Sequence, residues 1–197
     1  MISILLLSVV IFAAVALSSS SLCSFPAPAK GFTNQKYNGK WYEIGKIQTK
    51  GGAFFEKDCV CTELNIKTTD EASGDSIADN DCRDKTATGK WTNATGSLYN
   101  ENMNMPGKWL ESFTFGGSPS PPVNYTVIAI SDDYAVEYDC GTSSLGATNY
   151  CIHVMSRTRT MDPATFKSLI DMAEQMGLNP NKLDVEMTMQ SDECNGR

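Results

Sequence analysis

The chain of 197 residues carries a formal net charge of −7, with 16 basic and 23 acidic side chains. No Lys/Arg cluster stands out that could displace counterions from phosphate, which excludes nucleic acid as a partner. His153 is the single histidine and no Cys-x-x-Cys pair occurs, so neither a structural zinc site nor a cofactor is expected.

Residues Met1 to Leu17 are almost wholly apolar, and a run from Ser18 to Ser21 follows, which is the composition of a secretory signal peptide over residues 1–20. The run falls short of the roughly 20 apolar residues that a bilayer span needs, and no basic stop-transfer segment follows it. Residues 21–197 then have the length of one domain with a core of its own. Export places the seven cysteines in an oxidising compartment where disulfides persist, and the odd count leaves one free thiol or an intermolecular bond. The sequons at Asn93 and Asn124 mark expected glycosylation sites in the same compartment.

Between Lys40 and Met155, short period-two runs alternate with Gly, Asn, Asp, Ser and Pro clusters. The first follows Phe32 and Tyr37 and begins Gly39-Lys40-Trp41-Tyr42-Glu43-Ile44. The connection from Gln48 to Lys57 is Gly-rich and carries Phe54-Phe55. Val60, Thr62, Leu64 and Ile66 next alternate with Cys59, Cys61, Glu63 and Asn65, the pattern of a half-buried antiparallel strand. Thr114 to Val123, with two glycines and three prolines, is expected to be a loop. Tyr134, Val136 and Tyr138 alternate with Ala135, Glu137 and Asp139. From Asp162 the period changes: Phe166, Leu169, Ile170, Ala173 and Met176 form a helical stripe, with Asp162 as N-cap, Pro163 at the first position and Gly177 at the stop. Leu183, Val185, Met187 and Met189 alternate again as a last strand. Many strands, one helix and a final strand predict a closed all-β barrel with the helix packed outside it.

The Gly39-Lys40-Trp41 segment resembles the Gly-x-Trp signature that opens the first strand of lipocalins. Ser156-Arg157-Thr158 looks like the family's arginine motif, and Ile130 to Tyr134 lies where its Thr-Asp-Tyr turn is expected. Asn80-Asp81-Cys82, Gly89-Lys90-Trp91 and Ala94-Thr95-Gly96 are similar in order and spacing to the subgroup containing apolipoprotein D and the bacterial outer-membrane lipocalins. The resemblance runs from Cys23 to Cys194. It implies an eight-stranded antiparallel up-and-down barrel, one C-terminal helix, a ninth short strand, and a secreted carrier of a small hydrophobic molecule such as a fatty acid, sterol, retinoid or pigment. Gly39, Trp41, Asp132 and Arg157 become structural: Arg157 would lie over the Trp41 indole and close one end of the barrel. The turn at Asp132-Asp133 is shorter than in the subgroup, so Tyr134 matches a strand tyrosine that follows the motif.

With that end closed, the ligand would enter at the other. Phe54 and Phe55 are read as a lid or a rim that touches a membrane or lipid particle. Parity selects Val60, Thr62, Leu64, Tyr134, Val136 and Tyr138 as cavity lining, with Glu137 and Asp139 left in water. Tyr125, Val127 and Ala129 would line it if the Asn124 side points out, and His153 and Met155 share the inward face of Arg157. The expected cavity is apolar with a few phenol and imidazole groups, and His153 would take up a proton near its ordinary pKa of about 6.5.

The subgroup resemblance also pairs Cys59 with Cys194 and Cys23 with Cys140. Cys61 and Cys82, on neighbouring strands, could form a third bridge, and Cys140 with Cys151 across a hairpin competes. Two other functional classes are a lipid- or carotenoid-modifying enzyme using Cys151 and His153, for which no orienting carboxylate is evident, and a secreted protein-binding module acting through its loops.

Overall fold

In a computed structural model of the protein, residues 23–115, 118–143 and 145–195 are described; the expected signal peptide over residues 1–20 lies outside them. The period-two runs become β1 (Gly39–Gln48), β2 (Cys59–Asp70), β3 (Asp75–Asp84), β4 (Trp91–Tyr99), β5 (Lys108–Phe115), β7 (Val123–Ile130), β8 (Tyr134–Thr142) and β9 (Thr148–Ser156), each antiparallel to the next. β1 also pairs with β9, from Tyr42↔Ser156 to Gln48↔Cys151, so eight strands close into a barrel without an open edge. A short helix, α1 (Asn34–Tyr37), precedes it, and α2 (Pro163–Gln175) packs outside.

Two short strands supplement the barrel. The expected loop from Thr114 to Val123 contains β6 (Ser118–Pro119), which pairs with the end of β5; Pro119 is tolerated there because the pair has no further neighbour. The expected last strand from Leu183 to Met189 contracts to β10 (Glu186–Met187). It pairs with Gly45 and Lys46 of β1, beyond the Gly39–Tyr42 stretch that pairs with β2. In the gap where β1 and β2 part, Gln190 Nε2 donates to the carbonyls of Glu43 (3.0 Å) and Thr62 (2.9 Å), and Cys61 N donates to that of Met189 (2.9 Å). Backbone groups freed by the splaying are thereby satisfied.

Three ladders are irregular: β1 between Glu43 and Gly45, β2 between Val60 and Glu63 and again between Thr68 and Asp70, and β7 between Val127 and Ala129. Each inserts a residue and reverses which side chains beyond it face inward.

α2 begins as its sequence requires. The Asp162 side chain accepts from Thr165 N, Pro163 occupies the first turn, and Gly177 leaves the helix at φ +73°. Leu169, Ile170 and Ala173 are buried, whereas Met176, expected on the same stripe, caps the end and is exposed. Phe166 fits against β1 because residue 45 is glycine: a Cβ there would stand 2.9 Å from the Phe166 ring. The core therefore has two layers. One fills the barrel's closed end around Trp41, Leu98, Trp109 and Val127; the other lies between α2 and the outer face of β1, β7, β8 and β9, around Ile47, Val136, Ile152 and Val154.

Cys23 is bonded to Cys140. The other pairs exchange partners relative to expectation: Cys59 bonds Cys82 and Cys61 bonds Cys194, so neither Cys59–Cys194 nor Cys61–Cys82 is present. The β2 bulge is the cause. With Cys61 at φ +55° its amide meets Met189 and its thiol meets the C-terminal segment, leaving Cys59 beside β3. Cys151 is free and buried, so the competing Cys140–Cys151 bridge is absent too. Peptide mapping under non-reducing conditions is expected to recover Cys59–Cys82 and Cys61–Cys194 fragments, with one thiol alkylated only in denaturant. Recovery of Cys59 linked to Cys194 would contradict this arrangement.

Candidate functional site

At one end of the barrel the Arg157 guanidinium lies 3.4 Å from the centroid of the Trp41 indole and donates to the carbonyls of Lys40 (2.7 Å), Lys36 (2.7 Å) and Asn38 (2.9 Å). Trp41 Nε1 donates to Tyr37 O at 2.7 Å. Gly39, at φ +95°, lets the chain turn beneath the guanidinium. The turn between β7 and β8 contributes through backbone and serine: Asp133 O accepts from Arg157 N, and Ser131 Oγ accepts from the amides of Asp133 and Tyr134. Asp132, expected in this motif, instead points to solvent, 3.8 Å from Lys36.

Above this plug lies a cavity of about 630 Å³. Its mouth is formed by Gly51–Glu56, by Ser120–Pro122 and by Gly141–Ser143, at the end away from Arg157. Thr62, Leu64, Tyr125, His153 and Met155 line it, and so do Phe54 and Phe55. Phe55 packs on Phe113 with ring centroids 4.7 Å apart, while Phe54 is 63% exposed at the rim.

Other expected lining residues lie elsewhere. Tyr134, Val136 and Tyr138 face outward beneath α2, and Glu137 and Asp139 face inward. Alternation settles which residues share a face, and on β8 both faces are covered, so the apolar set packs under the helix. Val60 sits beside the Cys61–Cys194 bridge, on the other side of the β2 bulge. Val127 faces inward but belongs to the closed-end core below the cavity, and the β7 bulge turns Ala129 to the outer layer. Asn93 is exposed on β4, and Asn124 is half-buried beside Tyr125, which faces in.

The cavity is more acidic than its expected apolar character. Glu43, Glu56, Glu111, Glu137 and Asp139 all line it. None stands out in the sequence: Glu43, Glu111, Glu137 and Asp139 lie on strands, where a carboxylate ordinarily marks the wet face, and Glu56 lies in the connection after β1. Glu111 shares the inward face of β5 with Trp109 and Phe113; Gly96 of β4 pairs with Phe113, and a Cβ there would approach Glu111 Oε1 to 3.0 Å.

His153 is held between acids, its Nδ1 2.7 Å from Glu43 Oε2 and its Nε2 3.5 Å from Asp139 Oδ2. Burial alone would lower its pKa, but its hydrogen bonds with Asp139, Cys151 and Glu43 hold it well above the ordinary value. These contacts favour the imidazolium and move its proton uptake above the expected 6.5. Burial likewise opposes ionisation of Glu43, yet Lys46 at 3.6 Å and His153 bring its pKa down to about 2. Across the cavity the balance reverses. Burial pushes Glu137 up to about 7, against the pull of His153 and of Tyr37, which donates to it at 2.6 Å. Burial, with Asp139 and Glu137 nearby, raises Glu111 well above the carboxylate range.

Cys151 and His153 share the inward face, as the enzyme reading requires. Burial drives the Cys151 thiol up to about 12, and an imidazolium engaged on both nitrogens is a poor base. Two triads, Asp139–Cys151–His153 and Glu43–Glu56–His153, bring potential ligand atoms within 4.8 Å of one another. Both depend on His153, so a metal would have to displace a proton that the carboxylates stabilise.

The family model described as a lipocalin-like domain matches residues 33–188. Apolipoprotein D of Bos taurus is 29% identical over 174 residues, covering 88% of this chain and 83% of the relative, and that of Mus musculus is 26% identical over the same length. Among solved structures, insecticyanin of the tobacco hornworm Manduca sexta superposes with a TM-score of 0.66 at 17% identity, covering 88% of each chain. Lobster apocrustacyanin A1 superposes with a TM-score of 0.59 at 14% identity, covering 82% of this chain and 81% of the other. A closed eight-stranded barrel with an arginine-capped tryptophan at one end, and a family match over most of its length, place this chain in the lipocalin family, with apolipoprotein D among its relatives.

Proposed function

We propose that the protein is a secreted carrier that holds a small hydrophobic molecule inside the barrel. The observation that carries this reading is the cavity of about 630 Å³, closed at one end by Trp41 and Arg157 and walled in part by Phe55, Leu64, Phe113 and Met155. Small-molecule sites span roughly 300 to 1,000 Å³. A ligand burying about 300 to 400 Å² of apolar surface gains roughly 7 to 10 kcal/mol, from which immobilisation subtracts several, leaving micromolar affinity. Three disulfides support export, and among the described residues no helix is long and apolar enough to cross a membrane. The exposed Phe54 beside Phe55 at the mouth supports ligand exchange with a lipid surface.

Retinol, a fatty alcohol, a fatty acid and a fatty amine are the test panel. Saturable quenching of Trp fluorescence at micromolar concentration is expected from at least one, and Met155→Trp, which fills the cavity, should weaken it at least tenfold. No saturable response from any of the four would overturn the carrier reading in favour of a module that binds proteins through its loops.

A further inference from the structure

The interior of the barrel holds more acids than it can neutralise. Two cations stand among its five carboxylates: Lys46, 3.6 Å from Glu43 and 3.5 Å from Glu56, and His153, between Glu43 and Asp139. Glu43, Glu56 and Asp139 thus occupy both. Among the described residues, neither Glu111 nor Glu137 has a Lys, Arg or His nitrogen within ion-pair distance. Two further polar atoms of residues on the cavity wall have no hydrogen bond: Oγ1 of Thr62, and Oε2 of Glu56, which is ion-paired with Lys46 at 3.5 Å; the two residues are 2% and 3% exposed. Buried polar atoms and charges left without partners are costly, so carboxyl groups with no cation of their own in a partly apolar cavity point to a complementary group in what fills it.

We propose that the molecule carried is an amphiphilic amine, its apolar body against Phe55, Phe113, Leu64 and Met155 and its protonated nitrogen beside Glu111 and Glu137. This rests on the carrier reading of the same cavity and specifies the ligand class. The nitrogen supplies the missing positive charge and up to three donors, whereas a fatty acid would add a further carboxylate to a cavity already short of cations.

A pH dependence follows. Glu137 of β8 is faced by Tyr37 of α1, Tyr125 of β7, Glu111 of β5, His153 of β9 and Glu43 of β1; Glu56 and, on its own strand, Asp139 line the same cavity, and Lys46 of β1 is paired with Glu43 and Glu56. Without ligand, Glu111 and Glu137 retain protons that burial favours. An ammonium favours their ionised forms, so it binds with proton release and more tightly as pH rises through about 7.

The test compares decylamine, decanol and decanoate as competitors of a bound apolar fluorophore. At pH 7.5 decylamine is expected to bind at least tenfold more tightly than decanoate and more tightly than decanol. Its affinity should rise at least threefold from pH 5.5 to 8, with decanol nearly flat. In Glu111→Gln/Glu137→Gln, verified as folded by near-UV circular dichroism, the amine-to-alcohol affinity ratio should fall at least tenfold; if that variant does not fold, the wild-type pH series decides. Decanoate binding as tightly as decylamine, or a decylamine affinity flat or falling with pH, overturns the amine proposal while leaving a carrier of other ligands. Saturable binding by none of the three, together with the failed panel above, overturns the carrier reading and the proposal with it.

Discussion

Replacing Trp41 with alanine is expected to lower the unfolding free energy by about 3 to 5 kcal/mol, the range for deleting a large buried aromatic side chain. The side chain has no exposed surface, packs with Tyr37 at a ring separation of 6.1 Å, and donates to Tyr37 O. Its loss also strands Arg157, whose guanidinium is oriented by the indole face below and by the carbonyls of Lys36, Asn38 and Lys40 around it. Water admitted at that end would wet the closed-end core formed with Trp109, Leu98 and Val127. Trp91→Ala is the control, at a half-buried position on β4 where Arg83 lies 4.4 Å from the ring centroid, and should cost clearly less. Denaturant midpoints measure both. A loss below 1 kcal/mol for Trp41→Ala would show that the plug does not hold the barrel together.

The ligand-free protein should lose stability as pH rises from 5 to 8, about 2 to 3 kcal/mol of it through Glu137 alone. Glu137 titrates near 7 in the folded chain against about 4.5 when unfolded, so between those values the native state binds a proton that the unfolded state has released. Its contribution is complete below about 4.5 and is lost as pH rises through about 7. His153 acts in the same direction: held well above its ordinary pKa, it stabilises most below about 6.5, and that contribution fades as pH rises through its folded value. Glu43 opposes them at the acid end, since its depression to about 2 stabilises the fold above about 4.5 and is lost as pH falls. Maximum stability is therefore expected in mildly acidic solution. Glu137→Gln, which keeps an acceptor for Tyr37, should flatten the profile between pH 5 and 7. Stability that is constant or increasing over pH 5 to 8 in the wild type would contradict a buried, protonated Glu137.

Much of the frame could be read without coordinates. Asp162, Pro163 and Gly177 delimit α2 because capping and turn chemistry are local. Trp41 and Arg157 meet because the family resemblance supplied a pairing that alternation alone lacks. Tyr125, His153 and Met155 reach the cavity from strands on which parity was anchored to a sequon or to the plug, and Thr62 and Leu64 reach it from β2, where alternation alone selected them. On β8 parity failed: nothing in Tyr134 to Asp139 distinguishes a strand with one wet face from a strand covered on both. The helix that covers the outer face lies more than 20 residues downstream.

The sequence by itself determined a cysteine-rich chain, its strands, the helix α2 and the closed end of the barrel, because these depend on periodicity, capping residues and a compact motif. Tertiary structure alone decided the chemistry of the interior. Single-residue bulges in β1, β2 and β7 reset the faces, Cys59 and Cys61 found partners according to the β2 bulge, and α2 claimed the apolar side of β8. With side chains alternating every residue, one inserted position or one covered face is enough to exchange inside for outside. That exchange carries Glu137 and Asp139 from the expected surface into the cavity, where they join Glu43, Glu56 and Glu111.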